Sequence, residues 1–378
     1  MVTDEPGAGA PISGTVGDVV VWRRELLPTS ETFVVNQMTS LTRWRPRLTG
    51  LRRVPSLLSV EPALVLTMPE RVLMRRLGTS PRLHALLRRP QTRLVHAHFG
   101  PDASEVLTAA RRARCPLVVT FHGYDITSAW SSLPAQYQRS WPDLMAYASQ
   151  LIAVSDFIAE RLLERGAPAE KVVVHHIGTP LPPSPVPRSG GGGPVLLFVG
   201  RLVEKKNCAG LLDAVAALPE PLRATPVRIV GDGPLRASLE QQAAALGLDV
   251  TFLGAVDAAG VAAEMRRATV FCSPGQPASN GDAEGLPITP LEAASHALPV
   301  VAGDSGGTRD AVLDGVTGRV VPPGQAALVE ALTAVLADAG LAARLGAAGR
   351  RHIEEHFDLV RQTALLEDIY SEHARPAR

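Results

Sequence analysis

Short apolar runs rich in Val, Leu and Ile alternate along this 378-residue chain with longer segments of helical spacing. Strands that are apolar almost throughout are typical of sheets buried on both faces, and helices between them provide the crossovers that parallel strands require. The predicted strands are 18–22, 93–99, 116–123, 151–155, 171–177, 194–200, 226–233, 250–254, 269–275, 298–303 and 318–322. This pattern predicts an α/β fold built on doubly wound parallel sheets.

The densest run of turn-forming residues divides these strands into two sets. Residues 179–194, TPLPPSPVPRSGGGGP, join stiff prolines to four consecutive glycines, a composition typical of interdomain linkers. The chain is also longer than the roughly 250–300 residues at which a single hydrophobic core stops growing. We therefore predict two Rossmann-like domains facing each other across a cleft. They occupy 1–180 and 195–355, with a linker at 181–194 and a C-terminal helix at 356–378 that crosses back to the first domain.

Charge gives little guidance to a partner, because the net charge is +1 and only 20% of residues are charged. Residues 43–93 are the exception, with twelve arginines against Glu61 and Glu70. Few aromatics and no recognisable binding module argue against nucleic acid, so the excess indicates either ordinary surface chemistry or a patch for an anionic surface. The sequence contains no apolar run of transmembrane length and no signal-peptide pattern. We expect a cytoplasmic protein, with peripheral membrane contact left open.

Cysteine and histidine positions do not indicate a metal centre. The cysteines lie far apart, at Cys115, Cys208 and Cys272, and the first and last of them border apolar runs, as buried free thiols do. Four histidines are expected to pack or to line the cleft: His96, His98, His175 and His176. No Asp-x-Asp pair is available to hold Mg²⁺ or Mn²⁺ on a diphosphate. The sequence predicts neither a metal nor a cofactor.

Two cations follow the first strand of the second set, in FVGRLVEKKN at 198–207. Arg201 comes directly after the strand and Lys206 five residues later, while Asn207 suits the N-cap of the next helix. Cations at the end of a buried strand can hold a diphosphate, Arg through its planar fork and Lys as a point charge. Solvated loop cations would give the same pattern.

Two glutamates mark the loop and helix of GDAEGLPITPLEAASHA, which begins at 281. Thr289 suits an N-cap, which would make Glu292 a capping-box residue without any further role. Capping does not account for Glu284. Its carboxylate, beside the backbone N–H groups of Gly285, Leu286 and Ile288, suits a polyol, and a helix N-terminus suits phosphate. Sugar, phosphate and the two cations together indicate a nucleotide sugar.

The second half of the chain resembles the retaining GT-B glycosyltransferases of family 4. The shared motifs are the two glutamates of EGLPITPLE, the VGRL and EK residues of 199–205, the GDGP of 231–234 and the glycine-rich 306–324. The resemblance implies that Arg201 and Lys206 hold the donor diphosphate. It also implies that Glu284 meets the donor sugar and Glu292 the ribose. The implied donor site further includes Gly231, Gly285, Leu286, Ile288 and Thr289.

The first half is similar, more loosely, to the exopolysaccharide and colanic-acid branch of that family. The matching segments are PTSETFVVNQM at 28–38, HAHFGPD at 96–102 and VVTFHGYD at 118–125. The resemblance makes His122 a catalytic residue, although a histidine beside glycine at a strand end is also a common loop residue. The implied acceptor-side residues are Ser30, Glu31, Thr32, Gly123 and Asp125.

The resemblance implies transfer of a hexose, of glucose or N-acetylglucosamine type, with retention. The donor is expected to be a nucleotide diphosphate sugar, UDP-linked, and the acceptor a sugar-containing or small molecule in polysaccharide, glycolipid or secondary-metabolite synthesis. A sugar-nucleotide epimerase of the same fold and a non-catalytic partner protein are the alternatives. A dinucleotide-dependent oxidoreductase lacks its G-x-G-x-x-G signature here. An inactive copy would be expected to lose one of the two cations or two glutamates, all of which are present.

Overall fold

The computed structural model describes residues 15–58, 60–182 and 193–376, which form two parallel β-sheets and their helices. The first sheet has the strand order β3-β2-β1-β4-β5-β6-β7 and the second β10-β9-β8-β11-β12-β13. The strands of the first are β1 Gly17–Leu26, β2 Trp44–Arg53, β3 Leu64–Val65, β4 Thr92–His98, β5 Leu117–Phe121, β6 Gln150–Ala153 and β7 Val172–Val174. Those of the second are β8 Leu196–Val199, β9 Val227–Val230, β10 Val250–Gly254, β11 Val270–Ser273, β12 Val300–Gly303 and β13 Gly318–Val321.

Helices connect the strands of each sheet. Those of the first half are α1 Thr32–Thr39, α2 Met68–Leu77, α3 Pro81–Arg88, α4 Gly100–Ala113, α5 Tyr124–Thr127, α6 Ala135–Tyr147 and α7 Asp156–Glu164. Those of the second half are α8 Cys208–Ala216, α9 Arg236–Ala245, α10 Ala258–Arg267, α11 Ile288–Ser295, α12 Thr308–Ala311, α13 Gln325–Ala337, α14 Ala339–His356 and α15 Leu359–His373. Asn207 caps α8 by accepting a hydrogen bond from Gly210 N, as the sequence predicts.

Strand β1 shows why nearly continuous apolar runs predict this architecture. Val19 and Val21 belong to one hydrophobic cluster, while Val20 and Trp22 belong to another on the opposite face. Successive side chains of a strand point to opposite faces, so a strand buried on both must be apolar throughout. The predicted fold class is confirmed.

The prediction omitted β2 and β3, which lie in the arginine-rich segment. In β2 the arginines alternate with buried Trp44 and Leu48, so the strand does not read as an apolar run. Six arginines of this segment form ion pairs with carboxylates: Arg43, Arg45, Arg47, Arg52, Arg53 and Arg82. These pairs favour surface chemistry as the explanation for half of the twelve arginines.

The C-terminal helix α15 packs against the first sheet. Leu366 and Tyr370 join the hydrophobic cluster that contains Val19, and the Tyr370 hydroxyl lies 2.6 Å from His96 Nδ1. Glu367 accepts hydrogen bonds from the backbone N–H of Thr42 at 2.8 Å and of its successor at 2.6 Å. The end of the chain thus contacts the first half, while residues 183–192 of the proposed linker lie outside the described residues.

Among the described helices none is by itself long and apolar enough to cross a membrane. The bent pair α13 and α14, which meet at 101°, reaches that length and composition only when the two are taken together. The cysteines are free and buried, as predicted for the first and the last, and burial raises the thiol pKa of Cys115 to about 11 and of Cys208 to about 12.

Candidate functional site

The two halves of the chain meet where β5 ends in one sheet and where the loop before α11 leaves the other. A Cβ atom on Gly285 would lie 1.9 Å from the His122 carbonyl oxygen, so only glycine allows this approach. Ser155 Oγ donates to the Gly285 carbonyl at 2.6 Å, and Ala283 N donates to Thr127 Oγ1 at 3.1 Å. The predicted catalytic histidine and the predicted sugar-binding loop therefore lie side by side.

Lys206 and Glu284 form an ion pair at this contact. Lys206 Nζ lies 2.9 Å from Glu284 Oε1, and the two side chains are 16% and 12% exposed. Burial alone would raise the pKa of Glu284, but the positive charges of Lys206 and Lys205 outweigh it and leave that pKa below its ordinary value. Glu284 is consequently an ionised carboxylate, able to accept hydrogen bonds from hydroxyl groups.

Arg201 follows β8 at the edge of the same site. Its side chain is exposed and has no ion-pair or hydrogen-bond partner among the described residues. Behind it Gly231, at φ 129°, packs so closely that a Cβ would lie 1.9 Å from the Gly200 carbonyl oxygen. Gly231 N donates to Gly254 O at 2.8 Å, so Gly231 shapes the loop rather than offering a free donor.

Helix α11 begins two residues earlier than the predicted N-cap at Thr289 implies. Pro287 occupies the N-cap in an extended conformation, so Thr289 is the second helical residue and Glu292 the fifth. The predicted N-cap at Thr289 and the capping box at Glu292 are therefore wrong. Pro290 tolerates this register because the first-turn N–H groups of a helix have no intrahelical acceptor. Glu292 is left without a capping function.

Several hydrogen-bond donors around the start of α11 have no acceptor among the described residues. They are the backbone N–H groups of Gly285, Leu286 and Ile288 and the Thr289 hydroxyl. Glu292 is partly buried, and burial raises its pKa to about 7. Free N–H groups at a helix N-terminus, next to a lysine, form a site suited to an anion.

Glu31 serves a buried ion network instead of facing the cleft. Arg23 holds it through two nitrogens, at 3.0 Å and 2.5 Å, and also contacts Asp102 at 2.5 Å and the His98 carbonyl oxygen at 2.8 Å. These partners lie up to 79 residues away, beyond reach of local sequence reasoning. We assign Glu31 to positioning, whereas Ser30 is exposed and Thr32 partly exposed at the same turn.

Asp125 is fully buried and organises two loops. One carboxylate oxygen accepts from His122 N at 3.1 Å and Gly123 N at 2.9 Å, and the other from Gly100 N at 2.9 Å. Burial raises its pKa to about 6, although these three donors oppose the shift. We assign Asp125 to holding the turn that presents His122, and not to contact with an acceptor.

His122 is partly exposed and lies between the rings of Phe33 and Phe99, whose centroids are 4.8 Å and 4.5 Å away. Its Nε2 atom is 3.0 Å from His98 Nδ1, a pairing that the sequence analysis missed. Burial, and then the charge of Arg23, hold the pKa of His122 well below its usual range. The imidazole is therefore neutral and can donate or accept a single hydrogen bond at its other nitrogen.

Two of the other histidines, His96 and His175, have structural partners. His96 bonds to Tyr370 and Thr120, at 2.6 Å and 2.7 Å, and His175 to the Gln362 carbonyl oxygen at 2.8 Å. Within the described ranges, no group of three or more His, Cys, Asp or Glu side chains is arranged to hold a metal ion.

Comparison with known proteins identifies the family. The model of the glycosyl transferases group 1 matches residues 185–352, and that of glycosyltransferase family 4 matches 37–181. A phosphatidyl-myo-inositol mannosyltransferase of Mycobacterium leprae is 33% identical over 290 residues, 74% of this chain and 75% of the relative. The putative colanic acid biosynthesis glycosyltransferase WcaL of Escherichia coli K12 is 32% identical over 250 residues, 63% of this chain and 60% of WcaL.

A third relative and a solved structure complete the comparison. A GDP-mannose-dependent phosphatidylinositol monomannoside mannosyltransferase of Mycolicibacterium smegmatis is 36% identical over 185 residues, 48% of each chain. The structure of Anabaena Alr3699/HepE with UDP and glucose has a TM-score of 0.76 at 20% identity, covering 94% of this chain and all of that one. The chain belongs to the group 1, family 4 glycosyltransferases, and is an enzyme of the GT-B fold that uses a nucleotide sugar.

Proposed function

We propose that this glycosyltransferase transfers a hexose, with retention, from a UDP-hexose to an acceptor hydroxyl in polysaccharide or glycolipid synthesis. The observation that carries the proposal is the contact between the two halves of the chain. There the ionised Glu284, its partner Lys206 and three unpaired backbone N–H groups lie beside His122. A negatively charged diphosphate and a polyhydroxy sugar have the groups that such a site can bind.

In this proposal each part of the donor binds to the groups whose charge complements it. Arg201 and Lys206 take the diphosphate, together with the N–H groups of Gly285 and Leu286 at the start of α11. Glu284 accepts hydrogen bonds from the sugar hydroxyls, and Glu292 from those of the ribose. Two cations and a helix N-terminus neutralise the leaving diphosphate in this proposal, so no metal is required.

In the transfer step the bond between the anomeric carbon and the diphosphate oxygen breaks, and the acceptor oxygen bonds to that carbon on the same face. The proton of the acceptor hydroxyl passes to the departing phosphate oxygen. Glu284 stabilises the positive charge that develops on the sugar, and His122 holds a sugar oxygen. Groups fixed in advance at the developing charge are the larger part of such catalysis.

The nucleotide base has two candidates. The UDP-bound Anabaena structure supports UDP, since it shares this fold over 94% of the chain. The name of the Mycolicibacterium smegmatis relative specifies GDP-mannose, which favours that donor as the second candidate. On the acceptor side, Ser30 and Thr32 remain the accessible members of the predicted set. We propose a cytoplasmic protein that meets a lipid-linked acceptor at the membrane surface.

The test is nucleotide release from UDP-glucose, UDP-N-acetylglucosamine and GDP-mannose, each with and without a panel of lipid-linked and small-molecule acceptors. Acceptor-dependent release from one of the UDP-sugars, with the α-anomer retained in the product, is the expected result. Acceptor-dependent release from GDP-mannose alone replaces UDP by GDP. Release without acceptor, accompanied by an epimerised sugar, indicates the epimerase instead. Failure of all three donors to bind contradicts the proposed donor and indicates a nucleotide sugar with another base or another sugar.

A further inference from the structure

His98 and His122 form a buried pair at the ends of neighbouring strands. Strands β4 and β5 run parallel, with His98 opposite Thr120. His122 follows Thr120 by two residues and therefore lies beside His98. His98 Nδ1 and His122 Nε2 are 3.0 Å apart, and the two rings lie nearly parallel at an interplanar angle of 25°. This is a hydrogen bond between two imidazoles, in which one ring must donate and the other accept.

The surroundings hold both rings in place. Phe33 and Phe99 flank His122, and His98 is only 1% exposed. The backbone of Phe99 has φ 74°, a conformation that bulky residues adopt only where the surrounding structure imposes it. His122 is thereby fixed against His98, and its hydrogen-bond partner decides which of its nitrogens carries the proton.

The proton count leaves two arrangements. Burial keeps both imidazoles neutral by lowering the pKa of each well below its usual range, so the pair carries two ring protons. One proton lies in the shared bond. The other is on His122 Nδ1 if His98 donates, or on His98 Nε2 if His122 donates. Neither of these two atoms has a partner among the described residues, and both are buried.

The two arrangements differ in whether a ligand can satisfy the remaining N–H. His98 is closed off, so an N–H on its Nε2 stays unsatisfied whatever binds. The Nδ1 atom of His122 is also covered in the free chain, but His122 as a whole residue is partly exposed and adjoins Gly123, which faces Gly285 across the domain contact. A ligand at that contact that offers an oxygen can accept from His122. A buried donor without an acceptor is costly, so such a ligand favours the arrangement in which His98 donates.

We propose that His98 is a positioning residue, which donates its Nδ1–H to His122 and so makes His122 Nδ1 a hydrogen-bond donor for an oxygen of the transferred sugar. The inference rests on the proposed function, because it requires that His122 meets the donor sugar. The proposal gives His98 of strand β4 a role in the reaction, which the burial of this residue alone would not indicate.

The test that needs no substrate is the ring-nitrogen NMR spectrum of the full chain labelled with ¹⁵N-histidine, with the His122 signals identified by their loss in His122→Gln. We expect Nδ1 protonated and Nε2 unprotonated in the wild type. His98→Phe should redistribute the proton between the two nitrogens. His98→Asn, whose amide N–H can occupy the place of Nδ1, should restore the wild-type pattern.

The matched control is His175→Asn, which alters another buried histidine that bonds only to a backbone carbonyl. It should leave the His122 signals unchanged. A proton on Nε2 in the wild type overturns the proposal even if His98→Phe fails to fold. An unchanged His122 pattern in a folded His98→Phe variant, established by its melting temperature, overturns it as well.

Kinetics test whether the proton position matters. With the donor that the wild type turns over, His98→Phe should lower kcat about tenfold, the loss associated with one hydrogen bond. The donor KM should stay within about twofold, and His98→Asn should recover most of kcat. An unchanged kcat in His98→Phe contradicts the inference. If the wild type turns over none of UDP-glucose, UDP-N-acetylglucosamine and GDP-mannose, the proposed function fails, and the spectrum of the free chain still decides the proton position.

Discussion

Replacing Lys206 by alanine perturbs the site at its best-defined contact. The substitution removes an ammonium group that lies 2.9 Å from Glu284 and is only 16% exposed. Burial, already the largest single influence on the pKa of Glu284, is then opposed by less positive charge, so that pKa should rise. The proposed diphosphate loses a charge-assisted hydrogen bond at the same time.

The magnitude follows from that lost bond. A hydrogen bond to a charged group contributes about 1.5–3 kcal/mol, which corresponds to a rise in the dissociation constant of about 10- to 100-fold. The partial exposure of Lys206 places the expected value at the lower end of that range. We expect isothermal titration calorimetry to show this loss for UDP.

The neighbouring lysine provides the matched control. Lys205 carries the same charge, lies one residue away and pairs with Asp282 at 3.0 Å instead of with Glu284. Lys205→Ala should therefore change UDP affinity by less than about threefold, since a single partly exposed charge has a small effect. Equal losses in the two variants, or unchanged UDP affinity in Lys206→Ala, would refute the assignment of Lys206 to the diphosphate.

Four further predictions follow from the site. Glu284→Gln should keep UDP affinity near wild type while transfer falls about 10²–10³-fold, because its contact matters most as charge develops on the sugar; UDP titration beside the transfer rate checks this, and a lost UDP affinity would contradict it. UDP affinity should fall as pH drops from 8 to 6, because Glu292, with its pKa raised to about 7, then loses the carboxylate form that accepts two ribose hydroxyls; a pH profile as steep in Glu292→Gln would exclude Glu292 as its source. Burial also places the pKa of Glu292 higher in the folded state than in the unfolded state, so the contribution of Glu292 to folding stability falls as pH rises through about 4.5–7. Glu292→Gln should therefore raise the melting temperature at pH 8 more than at pH 5. A lowered melting temperature at pH 8 would indicate that Glu292 caps the helix after all. Transfer should persist in excess EDTA, and activity that returns only with Mg²⁺ or Mn²⁺ would show a metal requirement.

The sequence predicted the sheets well where strands are apolar on both faces and failed where they are not. Strand β2 was not predicted because its sequence contains arginines, whose charges are balanced by partners such as Asp18 and Glu25 on the neighbouring strand β1. Those ion pairs form only when the two strands lie side by side, so the sequence of β2 alone does not predict them. Arg201 and His122 were found from their places at the ends of predicted strands together with the family resemblance, since parallel strands bring their carboxyl ends to one edge.

The sequence singled out residues that the structure brings together, such as His122, Lys206 and Glu284, but it did not predict the contacts that other members of the set make. Glu31 and Asp125 looked available, but the structure gives them to Arg23 and to three backbone donors. The start of α11 lies two residues before the predicted position, because Pro287 can end an extended loop as readily as Thr289 can cap a helix. These outcomes depend on which distant groups come within hydrogen-bond distance, which spacing along the chain does not encode.

A crystal structure with UDP bound tests the account most directly. We expect diphosphate oxygens within hydrogen-bond distance of Lys206 Nζ and of the Gly285 and Leu286 N–H groups, with the ribose hydroxyls on Glu292. A nucleotide that leaves Lys206 paired only with Glu284 and binds away from the start of α11 would contradict it.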